Sequence, residues 1–362
     1  MTLGKRSAIV GAGFIGEVHA RAVRACGGEL IAVVSSTPER SRAAAERLGA
    51  LRTAVSVDEL VAADDIDVVH VCTPNDAHAD IAGRAIAAGK HVVCEKPLAT
   101  DLDAARLLAA AADSAGVVTA VPFVYRFYPT VRDARERVRT GETGPLRLLH
   151  GSYLQDWLAG PRDNNWRVDA SRGGQSRAFA DVGVHWCDLI EFTSGHRIRQ
   201  LSARLLTTHP QREGAAGMER VETEDVAIVQ FETDFGAVGS VVVSQVTHGR
   251  KNRLWMSLDG DAGSLAFNQE QPDALWFGSR ERTSVLARGG PPSPAADRYN
   301  ILPAGHPQGY QDCFNAFVGD VYDAVAGAEP DGLPTFADGV RASALTDAVI
   351  ESHKREAWVE VL

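Results

Sequence analysis

The stretch Ser7-Ala8-Ile9-Val10-Gly11-Ala12-Gly13-Phe14-Ile15-Gly16 decides the fold. A short apolar run ends in a Gly-x-Gly-x-x-Gly turn, and helical spacing continues from it through Ala25. Strand, glycine turn, helix is the context in which this spacing has a physical meaning. The first glycine permits the tight turn, the second lets the backbone approach a pyrophosphate, and the third lets the helix pack on the strand. Unpaired amides and the dipole at the helix N-terminus favour phosphate. Gly11, Gly13, Phe14, Ile15 and Gly16 are therefore candidate dinucleotide-binding residues.

Working outward, Leu30–Val34, Asp67–Val71, His91–Cys94 and Val117–Val121 read as further buried strands separated by helical periods. A cap at Thr100 or Asp101 opens the alanine-rich helix before the last of them. Strands alternating with helices imply βαβ units with right-handed crossovers. An α/β Rossmann domain with a doubly wound parallel sheet is expected over residues 1–122. Beyond a helix at Tyr128–Thr140 the pattern changes to wider-spaced runs at 146–153, 198–206, 227–231, 238–246, 254–258 and 264–267. These predict an α+β domain over 123–362, built on a large, mostly antiparallel open sheet. Helices at 182–192, 310–326 and 336–354 are expected beside that sheet, and 288–294 reads as a surface loop because of its glycines and prolines.

Composition narrows the function. Hydrophobic residues at 45% and charged residues at 23% are ordinary for a globular chain. A formal charge of −10 argues against nucleic acid or an anionic membrane as partner. Five scattered cysteines, none in a Cys-x-x-Cys pair, argue against a disulfide scaffold or structural zinc and suit a reducing cytoplasm. No signal peptide or membrane-spanning run is read, and residues 1–6 lead directly into the first strand.

Three further signals carry chemistry. The tip of the second strand reads Ser35-Ser36-Thr37-Pro38-Glu39-Arg40, with no acid where a ribose-binding carboxylate is expected for NAD. Ser35, Ser36 and Arg40 suit a 2′-phosphate by charge and fork geometry, so NADP is favoured over NAD. Lys96, in Cys94-Glu95-Lys96-Pro97, stands at the C-terminal tip of a parallel strand, where such sheets bind ligands. Asp181 and His185 stand four apart, so a regular helix puts them on one face, with Asp188 three further on.

Oxidising an alcohol requires proton loss from oxygen, for which histidine titrates in the useful range. His185 is the candidate general base, with Asp181 orienting it or gripping a substrate hydroxyl. Lys96 would stabilise the developing alkoxide. A zinc site would need further ligands clustered near the pair, so no metal is expected. Tyr153-Leu154-Gln155-Asp156-Trp157 and Asn164-Asn165-Trp166-Arg167 offer aromatics beside amides, a mixture suited to polyhydroxylated rings.

The runs 72–78 and 89–99, with Tyr125-Arg126-Phe127-Tyr128-Pro129, Gly141-Glu142-Thr143-Gly144, Pro334–Gly339 and Trp358–Val361, resemble the glucose–fructose oxidoreductase/inositol dehydrogenase/MocA (Gfo/Idh/MocA) family along essentially the whole chain. The resemblance implies an NAD(P)-dependent enzyme acting on a sugar, sugar derivative or cyclitol. It implies a homodimer or homotetramer formed through the second sheet, and a cis or strained Lys96–Pro97 bond. By matching motif, Thr73, Pro74, Asn75 and His78 line the ribose and nicotinamide side, with Glu95 and Lys96 at the nicotinamide end. Trp166 and Arg167 match a position near the cofactor, and Lys96, Asp181 and His185 take the catalytic roles. Tyr125, Arg126, Gln155 and Trp157 are the accompanying substrate candidates. Where typical members carry glycines before the Asp, this chain reads Gln175-Ser176-Arg177-Ala178, which suggests Arg177 as an added substrate or phosphate contact. Two other readings stay open: a regulatory dinucleotide-binding protein of the same fold, and a sugar–sugar oxidoreductase with a retained cofactor.

Overall fold

The computed structural model describes residues 5–214, 217–290 and 293–361. Compact packing divides the chain into two units, residues 1–124 with 310–343, and residues 125–309 with 344–362.

The first unit alternates β1 (Arg6–Val10), α1 (Phe14–Ala25), β2 (Glu29–Val34), α2 (Pro38–Leu48), β3 (Arg52–Thr53), α3 (Val57–Ala62), β4 (Val68–Val71), α4 (His78–Ala87), β5 (His91–Cys94), α5 (Leu102–Ala115) and β6 (Thr119–Ala120). The strands form one parallel sheet in the order β3-β2-β1-β4-β5-β6. The order reverses direction between β1 and β4, and in open α/β sheets a ligand crevice opens outside such a switch point. Helices cover both faces, so β1, β2, β4 and β5 are buried almost throughout and read as continuous apolar runs rather than alternating ones. Side-chain caps fix the helix starts. Thr37, Ser56 and Asp101 accept from the amides of Arg40, Glu59 and Ala104, so Asp101 rather than Thr100 opens α5.

The second unit contains α6 (Pro129–Arg139), β7 (Leu146–Leu154), α7 (Ala170–Gly173), α8 (Val184–Ser194), β8 (Ile198–Leu206), β9 (Gln211–Gly214), β10 (Gly217–Arg220), β11 (Val226–Thr233), β12 (Val238–Ser244), β13 (Arg253–Gly260), β14 (Ser264–Asn268), β15 (Ala274–Gly278), β16 (Thr283–Ala287) and α9 (Pro294–Asp297). The chain closes with α10 (Tyr310–Val325), α11 (Phe336–Arg355) and β17 (Val359–Glu360). Nine strands pair in the order β16-β15-β14-β13-β7-β12-β11-β8-β17, antiparallel except where β12 runs beside β7. One face is apolar and covered. In β11, Ala227, Val229 and Phe231 are buried while Ile228 and Gln230 are exposed. Gly151 lets α8 approach this face, since a Cβ there would stand 2.5 Å from Trp186 Nε1. The opposite face leaves Leu148, Ile228, Val238, Val242, Trp276 and Val285 exposed.

Several expectations need correction. Helix α10 packs on α1 of the nucleotide-type unit rather than beside the second sheet. The Phe314 ring meets His19 edge-on, Gln311 donates to the Val18 carbonyl, and Tyr322 hydrogen-bonds Ser7 of β1. An apolar helix stripe shows that a partner exists without showing which one. The hairpin β9–β10 and the strands β3, β15, β16 and β17 were not expected. Of the expected loop 288–294, residues 291 and 292 lie outside the described residues, as do residues 1–4 of the expected N-terminal lead-in.

Candidate active site

The glycine turn joins β1 to α1. Gly11 has φ 95°, and a Cβ there would stand 2.6 Å from the Cys72 carbonyl oxygen. Gly16 packs so closely on the Gly11 carbonyl that no side chain fits. Gly13 differs: a Cβ there would meet nothing within 4 Å, and it caps α1 without a side-chain hydrogen bond. The twelve-residue helix α1 thus presents its first amides beside open space that only a bare backbone borders, which is what a pyrophosphate requires. Phe14 projects from the same turn 76% exposed, with Ile15 half-buried behind it. At the tip of β2 the Ser35 amide donates to Ser41 Oγ, and Arg40 Nη1 donates to Ser36 Oγ at 3.1 Å on an exposed surface. A dinucleotide fits these residues.

Two loops past the glycine turn complete the candidate cluster of this unit. The β5 tip carries Glu95 buried and Lys96 half-buried, and the Lys96–Pro97 bond is cis. His19 Nε2 lies 3.1 Å from Glu95 Oε1, while Glu95 Oε2 accepts from the Lys96 amide at 3.2 Å. Burial alone would push the Glu95 carboxyl up. The His19 hydrogen bond and the charge of Lys96 outweigh it and hold the group below the ordinary carboxylate range. Thr73 and Pro74 are half-buried beyond β4, with Asn75 buried beside them. His78 needs a correction. It is 1% exposed, and its ring nitrogens face the Pro97 carbonyl at 2.7 Å and the Thr73 carbonyl at 2.9 Å. It therefore ties the two loops together from behind instead of lining the cofactor. Burial lowers its pKa despite those two partners.

A separate cluster of candidate residues lies in the other unit. Asp181 sits in a π-turn, Phe179–Gly183, that feeds directly into α8, where His185 occupies the first turn. The wider winding means that regular i, i+4 stacking does not describe the pair. Glu224 holds the start of this turn, accepting from the Phe179 amide at 2.9 Å, the Arg177 amide at 3.1 Å and the Ser176 hydroxyl at 2.7 Å. Burial raises the Glu224 pKa, and those donors offset part of the rise. Gly183 lets the Phe179 ring fold back, since a Cβ there would stand 2.5 Å from the ring. Asp181 accepts from Gln245 Nε2 at 2.7 Å and faces Arg167 Nε at 3.4 Å. Arg167 in turn stacks on Trp166 at 4.4 Å.

Around His185 the polar chain continues. Its ring meets Tyr125 edge-on at 5.2 Å. Tyr125 and Tyr153 share a hydroxyl hydrogen bond, and Tyr153 donates to Asn252 Oδ1 at 2.8 Å. Gln155 donates to the same Asn252 oxygen at 2.8 Å and accepts from Trp157 Nε1 at 2.8 Å. Tyr125, Gln155, Trp157, Trp166, Arg167, Asp181 and His185 thus fall in one connected region.

Two expected substrate residues do not. Arg126 makes a bidentate pair with Asp188, Nε to Oδ2 at 2.9 Å, and stacks on Phe192. Asp188 is therefore committed to an ion pair rather than to the Asp181–His185 set. Arg177 is buried with Asp225, which also accepts from Arg212 at 2.7 Å, so its guanidinium has no surface to offer a ligand. Sequence reasoning missed Gln245, Asn252, Glu224, His19 and His70. Gln245 carried a usable signal, because it continues the inward alternation of Val241 and Val243 as a polar residue.

A parallel sheet with an open glycine turn, followed by an α+β unit with an acid–histidine turn, defines a two-unit, nucleotide-dependent oxidoreductase. Comparison with known proteins makes this definite. Residues 5–123 match the model of an oxidoreductase family with an NAD-binding Rossmann fold, and residues 131–266 match the GFO/IDH/MocA C-terminal domain. A levoglucosan dehydrogenase of Pseudarthrobacter phenanthrenivorans is 31% identical, over 98% of this chain and 97% of its own. A solved oxidoreductase domain protein from Kribbella flavida is 34% identical at a TM-score of 0.93, with both chains fully covered. A levoglucosan dehydrogenase solved with NADH and levoglucosan is 30% identical at a TM-score of 0.93, over 99% of each chain. The chain belongs to the Gfo/Idh/MocA oxidoreductase family and is an NAD-binding oxidoreductase of the sugar dehydrogenase type.

Proposed function

We propose that this chain is an NAD(P)-dependent dehydrogenase or reductase acting on a secondary alcohol, or the matching ketone, of a sugar, sugar derivative or cyclitol. The observation that carries the reading is Asp181, held between Gln245 and Arg167 in the turn that leads to His185, in a chain that also presents Lys96 at a strand tip. A bound nicotinamide would supply a hydride acceptor, or donor in the reverse direction, for the carbinol carbon. The Lys96 ammonium donates to the reacting oxygen and stabilises its charge. His185 takes the proton from that oxygen, or gives it back in the reverse direction. Asp181 orients His185 or grips a neighbouring hydroxyl. Tyr125, Gln155 and Trp157 present a ring face and amides to the remaining hydroxyls. Gly11, Gly13, Phe14, Ile15 and Gly16 hold the dinucleotide, with Thr73, Pro74, Asn75, Glu95, Trp166 and Arg167 toward the nicotinamide.

The absence of an acid at the β2 tip, with Arg40 on Ser36, supports acceptance of NADP as well as NAD. The exposed row Leu148, Ile228, Val238, Val242, Trp276 and Val285 supports a homodimer or homotetramer formed through the sheet. Among the described residues no helix is long and apolar enough to cross a membrane. None of the five cysteines is disulfide-bonded, which supports a cytoplasmic setting.

Titration with NADH and NADPH, followed by tryptophan quenching, tests the nucleotide half. A panel of sugars and cyclitols headed by levoglucosan tests the other. Lys96→Ala and His185→Ala are expected to abolish turnover while dinucleotide binding falls only modestly, and equal loss of both would remove the catalytic assignment. Arg40→Ala is expected to weaken NADPH and spare NADH.

A further inference from the structure

Beneath the Lys96 turn, two histidines from separate elements run end to end into Glu95. His70 on β4 and His19 on α1 are both fully buried, with their Nδ1 atoms 3.0 Å apart. His19 Nε2 then meets Glu95 Oε1 at 3.1 Å, and Glu95 Oε2 accepts from the Lys96 amide. His70 Nε2 is buried with no hydrogen-bond partner among the described residues. The edge of the Phe314 ring packs on His19 at 5.0 Å and blocks the imidazole from swinging away.

These contacts admit one arrangement of protons. A carboxylate only accepts, so His19 Nε2 carries a hydrogen. One Nδ1 must donate to the other. Were His19 the donor there, it would be an imidazolium, and His70 would carry its own hydrogen on Nε2, a stranded donor in an apolar core. Burying an unmatched N–H is costly, whereas a bare imidazole lone pair is the lesser loss. The remaining solution has His70 Nδ1–H donating to His19 Nδ1, and His19 Nε2–H donating to Glu95.

We infer that His19 and His70 are positioning residues for Lys96: a fixed-tautomer chain, His70 to His19 to Glu95 to the Lys96 amide, holds the turn that presents the lysine. The kinetic consequence rests on the role proposed for Lys96, whereas the tautomers do not. Glu95 is the link through which pH acts. The groups facing it are His19 from α1, His78 from α4, the Cys72 and Cys94 thiols at the ends of β4 and β5, and Lys96 itself. Removing His19 takes away the donor that keeps the carboxylate ionised. The acid limb of turnover then moves to higher pH, and the lysine turn loosens. A residue that merely fills space leaves that limb where it was.

The test has two arms on the full chain. In the unmodified protein, long-range 1H–15N correlation spectra at pH 8 are expected to show His19 as the Nε2–H tautomer and His70 as the Nδ1–H tautomer. An imidazolium at His19, or an Nε2–H at His70, overturns the chain without any variant. In the second arm, His19→Leu is expected to lower kcat roughly tenfold or more and to raise the acid limb by about one pH unit, with little change in NADH affinity. His19→Gln, whose amide can still donate to Glu95, is expected to recover most of both. A folded His19→Leu protein with an unmoved acid limb overturns the positioning role. Lys96→Ala is the control: if it keeps turnover while the tautomers are as assigned, the reading of Lys96 fails and the proton arrangement stands.

Discussion

At Gly11 the backbone lies in the left-handed region and the Cys72 carbonyl closes the space a side chain needs, while at Gly13 the space is open. Substitution therefore separates folding from binding two residues apart. Gly11→Ala is expected to cost about 1–3 kcal/mol of stability. Gly13→Ala is expected to leave the melting temperature nearly unchanged while weakening NADH by at least about tenfold, because its Cβ projects where the pyrophosphate must come. Thermal melts paired with fluorescence titration read both, and an unstable Gly13→Ala protein would contradict the open-space reading. Arg126 makes the converse case. Its pairing with Asp188 is buried on both sides, so Arg126→Ala removes one member of a buried ion pair and is expected to cost about 3–5 kcal/mol. If Arg126→Ala folds normally and raises only the substrate KM, the original substrate-binding expectation was the better one.

Among the elements, the π-turn from Phe179 to Gly183 places Asp181, and it begins on a carboxylate supplied by a different strand region. Glu224→Ala leaves two backbone amides and a hydroxyl without their acceptor. The expected loss is about 1–3 kcal/mol together with a lower kcat, read by denaturant melts and steady-state assays. No helical period reveals a π-turn, since one extra residue per turn leaves local composition unchanged. That is why Asp181 and His185 are legible as candidates while their relative placement is not. The parallel strands are legible because burial on both faces makes them apolar throughout, as in Leu30-Ile31-Ala32-Val33-Val34. The hairpin Gln211–Gly214 with Gly217–Arg220 carries charges on both strands, and β16 lies at a sheet edge with no fully buried residue, so neither leaves an apolar signature. His19 and Gln245 act through neighbours far away in sequence, and their partners exist only once the chain is folded.

For the molecule as a whole, the buried histidines set the response to acid. Burial holds His70 well below the ordinary histidine range. Below about pH 6.5 the unfolded chain binds a proton that the folded chain refuses, so stability falls as pH drops. The slope from this group alone approaches about 1.4 kcal/mol per pH unit. Glu224 works in the opposite sense, because a raised carboxyl favours the folded state as it protonates. Denaturant midpoints measured from pH 7.5 down to 5.5 are expected to decline more steeply for the unmodified protein than for His70→Gln, and equal slopes would remove His70 as the cause.

The nucleotide-type unit is not finished where its sheet ends. Helix α10, whose Phe314, Gln311 and Tyr322 lie against α1 and β1, belongs to the same unit as residues 1–124 but is encoded after the whole of 125–309. On a ribosome adding 5–20 residues per second, the first sheet emerges roughly ten to forty seconds before the helix that covers α1. During that interval the nascent chain exposes the apolar side of α1, a natural hold for a chaperone. A gene fragment stopping after the sixth strand would leave that side uncovered for good.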